Sequence, residues 1–141
     1  MREFGLAAAL IGGLLLAGWS AAGENAAEAG VELYFISPAD GATLKSPVTV
    51  RFGLKGMGVA PAGIDLPSTG HHHLLINTGL PALDQPIPAD EQHVHFGKGQ
   101  TEAEISLKPG KHTLQLLLGN YLHKPHQPPV MSKQISITIE P

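Results

Sequence analysis

The sequence predicts an all-β domain, an antiparallel immunoglobulin-like β-sandwich of about seven strands with two long loops. Three observations carry that expectation. Short segments alternate apolar with polar residues, Gly- and Pro-rich turns separate them at near-regular spacing, and nothing beyond residue 22 repeats at helical period for three turns. The chain of 141 residues holds 17 glycines, 12 prolines and no cysteine, so packing and backbone pairing must stabilise it without disulfides.

The elements follow in order. Residues 1–22 read as a secretory signal peptide: Arg2 supplies the charge, 6–17 the apolar run, and Ser20-Ala21-Ala22 the small residues at a cleavage point. That run falls short of the ~20 apolar residues of a spanning helix, so no stable membrane span is expected after cleavage. Residues 23–30 (GENAAEAG) form a flexible tail, and 31–141 a single domain of about 110 residues. The expected location is periplasmic or secreted.

Residues 31–37 (VELYFIS) give a first strand, closed by the turn Pro38-Ala39-Asp40-Gly41. In 47–54 (PVTVRFGL), Val48, Val50 and Phe52 share one face and Thr49 and Arg51 the other. A loop over 55–70 leads to a strand at 71–77 (HHHLLIN). A second loop over 78–92, with Pro81, Pro86 and Pro88, leads to a short strand at 93–96. Strands at 102–107, 112–118 and 131–139 complete the set, with 119–129 as a polar, proline-containing loop. Both 15-residue-scale loops are longer than a compact domain usually keeps without a purpose, and they flank the 71–77 strand.

Function points to histidine. Eight histidines are present, none before residue 71: His71, His72 and His73, then His93 and His95, then His123 and His126, with His112 alone. Strand alternation sends Leu74 and Ile76 inward with His72 and turns His71 and His73 outward together. The same rule turns Val94 and Phe96 inward and His93 and His95 outward. Each His-x-His pair places two imidazoles about 7 Å apart at the backbone, close enough to reach one ion at about 2.0–2.1 Å. His123 and His126, in YLHKPHQPP, are the remaining candidate ligands. His72 reads as a hydrogen-bonded core or half-buried residue, and His112 as a packing residue at the core margin.

All-nitrogen ligation without thiolate suits copper first, by its place in the affinity order, and zinc next. Met57 and Met131 are weaker sulfur candidates for a cuprous ion. Other chemistry is sparse: no cysteine nucleophile, no nucleophile-elbow serine, and a KGMGV stretch without the lysine and helix of a phosphate loop. Asp84, Asp90 and Glu91 near His93 leave a hydrolytic site as a minor alternative, so the chain reads as a binder, not an enzyme. A net charge of −3 with scattered basic residues argues against nucleic acid. The competing reading is an immunoglobulin-like module that binds an envelope protein or glycan through its loops, without metal. It predicts dispersed histidines and an exposed apolar patch, for instance around Tyr121.

Four stretches are together distinctive: FISPADGATLKSPVTVRFGLKGMGVAPAG, TGHHHLLINT, LDQPIPADEQHVHFGKGQTE and PGKHTLQLLLGNYLHKPHQPPVMS. With them the chain resembles a family of uncharacterised bacterial exported domains, catalogued as a domain of unknown function. The resemblance implies an exported β-domain and directs attention to the histidine motifs, but it implies no reaction.

Overall fold

The computed structural model describes residues 29–141; the expected signal peptide and the tail up to residue 28 lie outside them. Nine strands follow one another: β1 (Glu32–Ser37), β2 (Thr43–Leu44), β3 (Val48–Lys55), β4 (Gly58–Val59), β5 (Thr69–Ile76), β6 (His93–His95), β7 (Glu102–Ile105), β8 (Gly110–Gly119) and β9 (Ile135–Ile139). They form two sheets. One has the order β1-β3-β7; the other runs β2-β9-β8-β5-β4, with β6 added along β5. Among the described residues no helix is long and apolar enough to cross a membrane.

The alternation expected for the third, fifth and eighth strands sets the core. Val48, Val50 and Phe52 of β3 face Leu74 and Ile76 of β5, Leu114, Leu116 and Leu118 of β8, and Ile135, Ile137 and Ile139 of β9. Leu33 and Phe96 close the ends, and Phe52 packs against Phe96 with ring centres 4.9 Å apart. Two apolar sheet faces meeting in this way give the sandwich its stability.

The strands differ from the expected set in ways that have local causes. The two-residue strands β2 and β4 pair in parallel with β9 and β5, in stretches that read as loop. β9 begins at Ile135 and not at Met131, because Ser132 interrupts the ladder. The Leu116 amide donates to Ser132 Oγ at 2.9 Å, and the Ser132 amide donates back to the Leu116 carbonyl at 2.9 Å. Side-chain capture of a ladder amide of this kind displaces regular pairing.

The larger sheet is covered on both sides, which the sequence reading did not anticipate. Leu117 of β8 and Leu75 of β5 point away from the main core, yet both are buried, in a second cluster with Ile87 from the 78–92 loop. The Ile87 amide donates to the His123 carbonyl at 2.8 Å, and Gln92 Nε2 donates to the Asn77 carbonyl at 3.0 Å, so that the loop lies flat across the sheet. The length of the 78–92 loop is thereby explained: it roofs the outer face of β5 at Leu75.

Leu116 sits at 0% exposure between the sheets. Leu116→Ala is expected to lower the unfolding free energy by about 2–5 kcal/mol in urea titrations followed by circular dichroism. A loss under about 1 kcal/mol would place this side chain outside the core.

Candidate metal centre

Four imidazoles converge under that roof. β5 supplies His71 and His73 from alternate positions on its outer face, and the antiparallel pairing of β5 with β6 sets His95 directly opposite His73. The 119–129 loop brings His123 over them. Ring centres lie 4.8 Å apart for His71–His73, 5.0 Å for His71–His95, 5.0 Å for His71–His123, 5.1 Å for His73–His95 and 4.8 Å for His95–His123. His73–His123 is the widest pair at 6.2 Å. Candidate ligand nitrogens of His71, His95 and His123 all fall within 4.8 Å of one another.

Local sequence makes room for the rings. Gly119 of β8 stands opposite His71, and a Cβ there would lie 2.7 Å from Cε1 of His73 and 3.4 Å from the His123 carbonyl carbon. At Gly97 a Cβ would run into the His95 ring, 2.7 Å from Nε2. Each of these glycines is therefore a space holder for an imidazole. His123 takes a left-handed backbone conformation with φ 65°, a strained choice for a residue with a Cβ. Asn120 holds it there: its Oδ1 accepts from the amides of Leu122 (2.9 Å) and Lys124 (3.0 Å), and its carbonyl accepts from the His123 amide at 2.8 Å.

The cluster is dry on one side and open on the other. His71 and His73 are each 1% exposed, while His95 and His123 are half-buried. Nε2 of His71, both ring nitrogens of His73 and Nε2 of His95 are buried with no well-formed hydrogen bond. Leaving such a group unpaired costs about 1–3 kcal/mol, so the constellation is disfavoured unless something else satisfies it. A metal ion shared by the rings would do so.

Burial and mutual repulsion hold the rings of His71, His73 and His95 neutral. Desolvation, then the neighbouring imidazoles, lowers His71 from 6.5 to about 4 and His73 to about 3. Burial alone brings His72 down to about 4, and burial followed by the His123 charge lowers His95. Neutral imidazole is the form that binds metal.

The other histidines lie elsewhere. His93 shares the outer face by alternation, but its Nδ1–H donates to Asp90 Oδ1 at 2.7 Å and its ring turns away from the four. That bond leads the interactions that lower the Asp90 carboxyl below its usual range. His126 is buried, its pKa lowered by burial, with its ring against the backbone of Thr69 and Leu118. It neighbours His71 without joining the four stacked rings. His72 faces the core as expected, but it packs on Phe52 at 4.9 Å and neither ring nitrogen has a hydrogen bond, contrary to the bonded residue expected. His112 accepts from Asn77 Nδ2 at Nδ1 (2.9 Å) and donates from Nε2 to the Lys108 carbonyl (2.7 Å), which ties a turn to β8. Met57 packs on the main core. The ligand group found among the described residues contains histidines alone, without Asp84, Asp90 or Glu91.

The model of DUF4399, a domain of unknown function, matches residues 50–140. The chain belongs to the DUF4399 family. The DUF4399 match starts within β3 and takes in β4 to β9, so it contains all four converging rings, both space-holding glycines and Asn120. No curated protein and no solved structure matches the chain.

The lowered imidazole pKa values carry a stability consequence. The unfolded chain takes up protons at the ordinary 6.5, whereas folded His71, His72 and His73 resist protonation until about 4, 4 and 3. Metal-free stability is therefore complete above pH 6.5 and falls as pH drops from there toward 4. At pH 5 the three rings stay neutral in the folded chain while the unfolded chain is mostly protonated there, so each of them weakens the fold. Urea midpoints of metal-free protein should drop sharply between pH 7.5 and 5; equal midpoints would show that these rings are not buried neutral.

Proposed function

We propose that the protein is an exported, non-catalytic binding domain that holds one transition-metal ion, copper or zinc, through His71, His73, His95 and His123. The convergence of four imidazoles from three separate segments, with buried nitrogens lacking hydrogen bonds, is the observation that supports it. Four rings bound tetrahedrally at about 2.0–2.1 Å have centres about 5.2 Å apart, close to five of the six separations. A square-planar set would have two long diagonals of about 6.4 Å. Only His73–His123 is long; the opposite pair, His71–His95, is 5.0 Å. The disposition favours an ion without a square-planar preference, which suits zinc better than cupric copper. Copper's higher place in the affinity order works the other way.

Four protein nitrogens fill a tetrahedral shell and leave no position for a substrate. Closed shells of this kind belong to structural or carrier sites, whereas catalytic zinc keeps an open position. That is the ground for reading the domain as a binder.

A second reading has its own support. Ile64 and Leu122 are each 51% exposed, on segments joined by the Gly63 amide donating to the Tyr121 carbonyl at 3.0 Å. Leu66 is 56% exposed in the same stretch. Exposed apolar side chains here suit an envelope protein or glycan docking, as the metal-free alternative expects, but the dispersed histidines that it also expects are replaced by converging ones.

Protein purified without a histidine tag or nickel column should carry about one copper or zinc per chain by elemental analysis, or take up one at pH 7.5. His71→Ala/His73→Ala is expected to abolish uptake, and His123→Ala, in a loop, to weaken it at least about 10-fold while the fold persists by circular dichroism. His93→Ala and His126→Ala should keep uptake. Binding that survives loss of His71 and His73 would remove this reading. Gly97→Ala, whose added methyl meets the His95 ring, is expected to lower affinity about 10-fold with little change in the urea midpoint.

A further inference from the structure

The four proposed ligands are not equivalent, and their inequality bears on how an ion would leave. His71 and His73 stand on β5, which pairs along its length with β8 and on its other side with β6 and β4. Both rings are 1% exposed, and Gly119 and the His123 backbone box in His73. Close packing on a central strand confines both rings. His95 stands on a three-residue strand paired on one side, and His123 on a loop in a left-handed conformation. Both are half-buried, so this pair forms the open edge of the cluster.

His123 is also the one ligand of the four that stands on a loop and not on a strand. Its ring centre lies 6.2 Å from that of His73, against about 5.2 Å for a tetrahedral shell, while its ligand nitrogen already falls within 4.8 Å of those of His71 and His95. A shift of the loop by about 1 Å toward His73 would complete the shell, and the same motion reversed would open it.

Building on the four-imidazole reading, we infer that the ion is exchangeable cargo, passed directly to an acceptor that approaches at the His95–His123 edge, while His71 and His73 act as the fixed half of the site. The acceptor would be a chelating molecule or protein segment with at least two nitrogen or sulfur donors. In the transfer step, a lone pair of the incoming donor forms a bond to the ion as the His123–ion bond breaks. The electron pair of that bond returns to the His123 ring nitrogen as a lone pair. The His95 bond is exchanged in the same way, and the ion then leaves His71 and His73 with its charge unchanged. No oxidant, reductant or proton is consumed.

The probe is the zinc-loaded full chain at pH 7.5, mixed with the chromophoric chelator 4-(2-pyridylazo)resorcinol in excess. Transfer at the open edge predicts a rate that rises in proportion to chelator concentration. His123→Ala, loaded with one equivalent of zinc, should raise the second-order rate at least about 10-fold, and His93→Ala should leave it unchanged. A rate independent of chelator concentration would overturn the inference while leaving the metal site intact, since the ion would then escape unaided. An unaltered rate in His123→Ala would likewise overturn it. Failure of the unmodified protein to load zinc or copper would overturn the four-imidazole reading itself, and transfer with it.

Discussion

The roofing of the outer face of β5 is the constraint on which the rest depends. A central strand in an antiparallel-rich sheet normally buries one face and wets the other. Here Leu75 and Leu117 on the outer side are covered by Ile87 and the 78–92 loop, and His71 and His73 are buried beside them. Once two imidazoles are dry, their nitrogens need partners. Besides the backbone of His71 next to the His73 ring, the groups that the fold brings to them are two further imidazoles and no carboxylate. An arrangement of this kind is costly as a purely structural device. It becomes intelligible when the rings share a cation.

The space around the rings shows the same bias. Gly97 and Gly119 each stand where a methyl group would strike an imidazole, and Asn120 spends its side chain and carbonyl on holding His123 above the strand. A buried neutral histidine such as His72 needs none of this: it packs on Phe52 and its environment is the apolar core. The contrast between His72 and its neighbours on either side separates a packing role from a ligand geometry on one strand.

Much of the site was legible from local pattern. Period-two alternation around Leu74 and Ile76 put His71 and His73 on one face, and the same rule around Val94 gave His95. His93 obeyed the rule in its backbone yet turned its ring to Asp90, because a carboxylate three residues earlier offers a nearer partner than the cluster does. His123 and His126 looked alike as loop residues; only the Asn120 turn tells them apart. An asparagine three residues before a histidine was the available sign. The roles of Gly97 and Gly119 had no sign, since a glycine that spares room for a distant ring resembles any turn glycine.

Strand period, turn residues and the absence of helical repeats were enough to establish an all-β sandwich with its core faces, because those are short-range consequences of backbone geometry. They also established which histidines share a strand face. Whether that face is wet or dry, and which distant rings join it, was decided by tertiary structure alone. The register of β5 against β6 and the closure of the 119–129 loop bring together residues up to some 50 positions apart, and no local pattern encodes a contact made across folded loops.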